Sequence, residues 1–319
     1  MRVTAVRGVR LTAVAGERPA TQVANAELPA ELDVDDAWVR ARTGIAARGL
    51  AAEGQGVAEL AAAAGAKALA AAGLSGSEVD LLVLATCTPR VPVPATAPTV
   101  AARLGSGGAA FDLNAGCAGF CTALAMAADA VRGGSCERAL VVGAERLSDW
   151  VDWTDRRTAV LFGDGAGAVV LEACDPGHDG VGPVVWGSDG GRAHLISTPE
   201  DTRTIRMDGP AVFRWAVPQV ATVAREACAR AGVEPRELAA FVPHQANLRI
   251  VEGAARALGL TAATVVADDV TTSGNTSAAS VPLALARLVE AGRVAPGAPV
   301  LLVAFGAGLS WAGQVIRCP

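Results

Sequence analysis

Three stretches of this chain recur in one order at a nearly constant spacing, and that repetition restricts the fold more than any single motif does. The apolar run Leu81–Ala85 leads into Thr86-Cys87-Thr88-Pro89, and Ala239–Val242 leads into Pro243-His244-Gln245. Asp112–Cys117 opens an Ala-rich segment, as does Asp269–Asn275, and Ala139–Ala144 matches Pro299–Ala304. Cys87 and Gln245 stand 158 positions apart, Cys117 and Asn275 also 158, and Val141 and Leu301 160. Matched segments at one offset are the trace of a duplicated structural unit. Halves related by a pseudo-twofold axis bring equivalent loops together, so Cys117, His244 and Asn275 are expected to share one pocket.

Each repeat reads as α/β. Leu81–Ala85 and Val300–Ala304 are continuously apolar, as strands buried on both faces are. Ala-rich stretches between them predict helices over Ala61–Ala72, Ala118–Arg132, Ala221–Ala231 and Ala278–Ala291. No long Pro- or Ser-rich linker divides the chain. The halves are expected at 1–170, carrying Cys117, and 171–319, carrying His244 and Asn275.

Composition excludes several classes of function. With 51% hydrophobic and 18% charged residues, the 319-residue chain has ample material for a packed core. Lys and Arg number 27 against 32 Asp and Glu, a net charge of -5, so no global basic field draws it to nucleic acid. Aromatics are 4% with no Tyr, too few for base-stacking platforms. Lys67 is the only lysine, and no Gly-Lys-Ser/Thr phosphate loop exists. The seven cysteines form no C-x-x-C pair, which speaks against a disulfide framework or zinc ribbon and for a reducing compartment. Arg2, Arg7 and Arg10 interrupt the stretch that a signal peptide keeps apolar, and no apolar run reaches the ~20 residues of a membrane span. A cytoplasmic protein without membrane or nucleic-acid partners is expected.

Cys117 lies where an apolar strand should give way to an Ala-rich helix. Free backbone amides and the positive end of a helix dipole there favour thiolate over thiol, although a cysteine beside an Ala-rich helix also serves as a small core residue. Cys87, Cys121, Cys136, Cys174 and Cys228 are expected in the core. Of three histidines, His178 and His194 fall in Gly-rich loops, whereas His244 directly follows a buried strand and faces whatever cleft that strand end borders. Asn275 reads equally as a turn or cap residue. Phe305-Gly306-Ala307-Gly308 is either a plain turn or a source of amides for an oxyanion. Gly163-Asp164-Gly165-Ala166-Gly167 lacks the third glycine of a dinucleotide loop.

The blocks Trp38–Ile45, Asn114–Phe120, Asp155–Ala159, Phe162–Ala168, Pro243–Ile250, Gly274–Ser280 and Phe305–Gly308 together resemble β-ketoacyl-acyl carrier protein synthase III, of the thiolase superfamily. The resemblance runs through essentially the whole chain in order. It implies the duplicated five-layer α-β-α-β-α thiolase fold and a homodimer. It also implies an acyl-CoA primer loaded on Cys117 and condensed with malonyl-acyl carrier protein, with His244 and Asn275 as donors to the malonyl thioester. The amides of Cys117 and Ala307 would form the oxyanion hole. Trp38, Arg42 and Arg156 would bind CoA, and Arg214, Arg249 and Arg256 the acidic carrier protein. Val93, in a Pro-rich loop that would cross the dimer interface, stands where some members carry Phe in the acyl pocket, so branched or longer primers are expected. No cofactor or metal is implied beyond the CoA thioester as substrate. Two other functions fit the same residues less well: an acyltransferase of this fold moving the acyl group to a hydroxyl or amine, and a non-catalytic relative that has no use for an intact Cys117.

Overall fold

The computed structural model describes residues 7–200 and 202–319; Arg2 lies outside them. Strands β1 (Gly8–Glu17), β2 (Thr21–Ala24), β3 (Ala47–Leu50), β4 (Leu81–Ala85), β5 (Ala109–Leu113), β6 (Arg138–Glu145) and β7 (Gly165–Cys174) are interleaved with helices α1 (Asp36–Thr43), α2 (Val57–Ala72), α3 (Ala97–Leu104) and α4 (Gly119–Arg132). There follow β8 (Val185–Ser188), β9 (Ile196–Ser197), β10 (Arg206–Met207), helix α5 (Gly209–Ala231), β11 (Ala240–Pro243), α6 (Leu248–Leu258), β12 (Val265–Val266), α7 (Val270–Ser273), α8 (Ser280–Glu290), β13 (Pro299–Gly306) and β14 (Ser310–Arg317).

Two five-stranded sheets have the orders β1-β7-β6-β4-β5 and β8-β14-β13-β11-β12. In both, the first two pairings are antiparallel and the last two parallel. The same strand order with the same directions, built from successive parts of the chain, is the duplication anticipated from the repeats. β7 continues to Cys174, so the boundary expected at 170 falls inside a strand, and the crossing to the second sheet lies between Cys174 and Val185.

The layers follow from where each helix is apolar. α4 and α8 lie between the sheets and pack on both of them. A helix packed on two sheets must be apolar over most of its circumference, and Phe120, Ala123, Leu124, Ala127, Ala128 and Val131 of α4 are fully buried, as are Leu283, Leu285 and Ala286 of α8. α2 and α3 cover the outer face of the first sheet, and α5 and α6 the outer face of the second. The result is the five-layer α-β-α-β-α thiolase fold.

The expected helices form with shifted ends. α5 starts at Gly209, well before Ala221, because Asp208 accepts a hydrogen bond from the Ala211 amide and Pro210 occupies the first turn, where its missing N–H is harmless. Ala278 and Ala279 form a separate 3-10 turn ahead of α8. No helix among the described residues is long and apolar enough to cross a membrane.

Leu124→Ala is expected to lower the unfolding free energy by about 3 kcal/mol through lost burial and a residual cavity. Met126→Ala on the same helix, at a site 43% exposed, should cost under about 1 kcal/mol. Urea denaturation midpoints measure both.

Candidate active site

Cys117 sits one residue before the N-cap of α4, in the turn that follows β5. The end of β13 closes over it: a Cβ on Gly306 would come within 2.6 Å of the Cys117 Cβ and 2.9 Å of its Sγ, so only glycine allows this approach. The next residue, Ala307, turns its amide toward the sulfur, as Cys117 does its own. Two converging N–H groups beside a nucleophilic atom are the geometry of an oxyanion hole.

His244 ends β11 and is almost completely buried. Its Nδ1 lies 2.6 Å from Ser280 Oγ, which also accepts a hydrogen bond from the Gln245 amide at 3.3 Å. Where the Ser280 hydroxyl donates to Nδ1, the ring proton of the neutral imidazole is on Nε2. Phe305 braces the ring edge-on with centroids 5.3 Å apart. Burial pushes the imidazole pKa down to about 3, so the ring is neutral at physiological pH.

Asn275 is fixed at both backbone ends, its N–H donating to the Leu161 carbonyl (2.8 Å) and its C=O accepting from the Gly163 amide (3.0 Å). Its side-chain Oδ1 accepts from the Ser277 amide at 2.9 Å, which leaves the Nδ2 donors to face the cavity. Ser277 adopts a left-handed backbone (φ 47°) that a non-glycine residue holds only when its surroundings enforce it.

Cys117, His244 and Asn275 line one cavity of about 580 Å³. It opens into a cleft of about 990 Å³ through shared walls at Met207, Val212, Ala246 and Asn275. That cleft is lined by Trp38, Arg42, Arg156, Arg157, Arg206, Arg214 and Arg249, with Asp208 the one lining carboxylate among the described residues. The acidic chain thus carries a local cationic funnel at its cavity mouth. The Arg42 guanidinium lies 4.1 Å and that of Arg156 5.7 Å from the Trp38 ring centroid.

Several expectations need correction. Burial raises the Cys117 thiol to about 11, the Glu145 charge adds to the rise, and Ser277 with the two amides offsets only part of it; the helix end does not leave a free thiolate. Cys87 is not core: it lines the cavity, half-buried, and Cys174 is likewise half-buried. Arg256 is exposed on α6 beside Glu252 at 3.7 Å, outside the cleft lining, and Val93 is 81% exposed, outside the cavity of its own chain; neither position contradicts the role expected of it. Asp164 holds the Ala51 and Ser148 amides, which accounts for the Gly-Asp-Gly segment without a nucleotide. Ser277, Ser280, Glu145, Arg157 and Arg206 carried no signal of their own in the sequence, although both serines fall within the Gly274–Ser280 block and Arg157 within Asp155–Ala159.

A duplicated thiolase fold with a cysteine, a neutral histidine and an asparagine converging in one cavity defines an enzyme of the acyl-transferring, carbon–carbon-condensing class. Residues 111–190 match the 3-oxoacyl-[acyl-carrier-protein] synthase III model and residues 228–318 its C-terminal counterpart. The chain is 53% identical to β-ketoacyl-[acyl-carrier-protein] synthase III 4 of Streptomyces coelicolor, over 98% of this chain and 99% of that one. The priming β-ketosynthase of the R1128 polyketide pathway superimposes with a TM-score of 0.96 at 43% identity, covering 100% of this chain and 98% of its own. The synthase III of Pseudomonas aeruginosa gives 0.93 at 41%, covering 98% and 99%. The chain belongs to the β-ketoacyl-acyl carrier protein synthase III family, condensing enzymes of fatty-acid and polyketide synthesis.

Nitrogen-15 NMR of the ring nitrogens is expected to show His244 neutral and protonated on Nε2 from pH 8 to pH 5, and Ser280→Ala to erode that tautomer preference. Between about pH 6.5 and pH 3 the unfolded chain takes up a proton at this position that the folded chain refuses. Relative to His244→Asn, wild-type stability should therefore fall by roughly 1.4 kcal/mol per unit of acidification in that window, read from denaturation midpoints.

Proposed function

We propose that the enzyme loads an acyl-CoA primer on Cys117 and condenses it with malonyl-acyl carrier protein, the single supporting observation being the shared cavity of Cys117, His244 and Asn275. The Cys117 sulfur attacks the CoA thioester carbonyl, its oxyanion takes hydrogen bonds from the Cys117 and Ala307 amides, and CoA leaves as the acyl-enzyme forms. The malonyl thioester then binds with its carbonyl oxygen against His244 Nε2–H and Asn275 Nδ2–H. Loss of carbon dioxide places negative charge on that oxygen, where two fixed neutral donors stabilise it away from bulk water. The enolate carbon attacks the acyl carbon, sulfur is expelled, and the β-ketoacyl product stays on the carrier.

A neutral imidazole suits this role. A cationic ring would hold the malonyl carboxylate as an ion pair and oppose the loss of carbon dioxide, whereas a neutral N–H gains strength only as the enolate develops. No cofactor takes part; the CoA thioester is substrate.

Trp38, Arg42 and Arg156 are assigned to the CoA adenine and phosphates. A base stacked between Trp38 and Arg156 needs about 7 Å, two van der Waals contacts, so Arg156 swings outward by about 1 Å on binding. Arg214 and Arg249 in the cleft, with Arg256 on the exposed face of α6, are assigned to the carrier protein. β5 is an open sheet edge bearing exposed Phe111, close in sequence to exposed Val91 and Val93, features that favour pairing with a second copy. In such a homodimer Val93 would reach the acyl pocket of the other protomer and leave room for branched or longer primers.

Incubation with acyl-CoA is expected to add the acyl mass to wild type and His244→Ala but not to Cys117→Ala. With radiolabelled malonyl-carrier protein, His244→Ala should lose about 10²- to 10³-fold in β-ketoacyl formation. Absence of labelled β-ketoacyl product from wild type would reject condensation in favour of acyl transfer to a hydroxyl or amine. Trp38→Ala is expected to raise KM for acyl-CoA with little change in kcat. Acetyl-CoA acylating Cys117 far faster than isobutyryl- or hexanoyl-CoA would reject the wider pocket.

A further inference from the structure

Glu145, at the end of β6, is fully buried, and the adjacent Arg146 pairs instead with Asp149 (3.1 Å) and the Gln55 carbonyl (3.0 Å). Six hydrogen-bond donors hold its carboxylate. Five come from the segment after β4: Thr86 Oγ1 (3.0 Å), the Cys87 amide (3.1 Å) and thiol (3.2 Å), and the Thr88 amide (3.1 Å) and hydroxyl (2.5 Å). The sixth is the Ser277 hydroxyl (3.1 Å), which reaches across from the second half of the chain. Ser277 has the left-handed backbone (φ 47°) that a non-glycine residue keeps only under restraint, and its bond to Glu145 is one such restraint. In this turn the Ser277 N–H points back to Asn275 Oδ1 at 2.9 Å. The Asn275 backbone is fixed separately, by Leu161 and Gly163, so what Ser277 governs is the rotation of the carboxamide. Turned by half a revolution, that group would present oxygen to the cavity in place of N–H.

We propose that Glu145 is a positioning residue for decarboxylation: by holding the Ser277 hydroxyl it keeps the left-handed turn whose amide aims Asn275 Nδ2–H at the malonyl thioester. The proposal rests on Asn275 being a donor to that thioester. Glu145 is not among the residues lining the cavity, so its effect passes through Ser277 and Asn275. A carboxylate suits the place because it only accepts hydrogen bonds, whereas an amide would turn an N–H against some of the six donors. Asn275 needs this external tie because a freely rotating carboxamide spends part of its time with oxygen toward the developing enolate. A donor out of line stabilises that charge poorly, so losing the tie slows loss of carbon dioxide far more than it slows the loading of Cys117.

Two rates separate this role from general damage: release of labelled carbon dioxide from carboxyl-labelled malonyl-acyl carrier protein, and acylation of Cys117 by acetyl-, isobutyryl- and hexanoyl-CoA, followed by intact mass. The ratio of the first to the second is the readout. Ser277→Ala loses the tie and keeps a side chain that resists positive φ, so the ratio should fall about 10²-fold. Ser277→Gly loses the same hydrogen bond but takes up the turn without strain, and should stay within about tenfold of wild type. Ser277→Ala combined with Asn275→Ala should be no lower than Asn275→Ala alone, since both changes act on one donor. Glu145→Gln should match Ser277→Ala; if near-UV circular dichroism shows it unfolded, the Ser277 variants carry the test. A wild-type ratio in Ser277→Ala or in folded Glu145→Gln, equal falls in Ser277→Gly and Ser277→Ala, or additive losses in the double variant each overturn the proposal and leave Asn275 as a donor. A wild-type ratio in Asn275→Ala overturns the reading of Asn275 and the proposal with it.

Discussion

Two helices, α4 and α8, are enclosed between two sheets, and the thickness of that layer governs where every reactive group sits. The layer is thin because its residues are small: a Cβ on Gly143 of β6 would stand 2.4 Å from the Ala278 carbonyl oxygen, and Gly119 opens α4 against Ala85 and Ala278. Helix start and strand end are thereby brought into van der Waals contact across the two halves. α4 begins just after Cys117; α8 begins at Ser280, five residues after Asn275. Both helices are anchored in the same layer, so their starts present sulfur, carboxamide and hydroxyl to one space beside the ends of β11 and β13. The heavy use of Ala and Gly is thus a packing requirement, since bulkier residues in the middle layer would separate the groups that must meet.

The electrostatics of that space follow from its burial. A thiol held near 11 and an imidazole held near 3 are both neutral, so these two groups bring no charge to the inner cavity before substrate enters. Neutral donors preserve their hydrogen-bonding capacity for the moment when substrate becomes negative. The mouth is the reverse, crowded with arginines. On the proposed reading, a polyanionic ligand would be drawn to the entrance by charge and its acyl portion would enter an interior where charge is expensive, leaving its phosphates outside.

Much of this was legible in the residues. The continuously apolar strands, the Ala-rich helices and the constant offset between repeats all report burial on two faces and a duplicated unit, because hydrophobic pattern is written locally. Cys117 and His244 stood out through their positions at a helix start and a strand end, and Asn275 through the Gly274–Ser280 block that resembles the synthase III family. The remainder was not legible for definable reasons. Ser277 and Ser280 look like ordinary helix-entry serines, and their importance lies in what they touch from a distance. Glu145 at the end of a buried strand reads as the solvated tip of that strand until β4 and the 3-10 turn before α8 are seen to close over it. Cys87 seemed a core residue because sequence reports apolarity, not the cavity that a fold leaves beside it.

The amino-acid sequence by itself determined the strand and helix pattern and the twofold repetition, since these depend on local hydrophobic spacing, and its resemblance to the synthase III family singled out Cys117, His244 and Asn275. Only the tertiary structure decided that His244 is held neutral with Nδ1 against Ser280, which way the Asn275 amide points, that the Cys117 thiol is held protonated, and that Arg256 and Val93 stand apart from the cavity of their own chain. The Asn275 amide is turned by the Ser277 amide two positions on, while the other properties depend on contacts between distant segments and on the exclusion of water, and no pattern along the chain encodes these until the sheets close on their central helices.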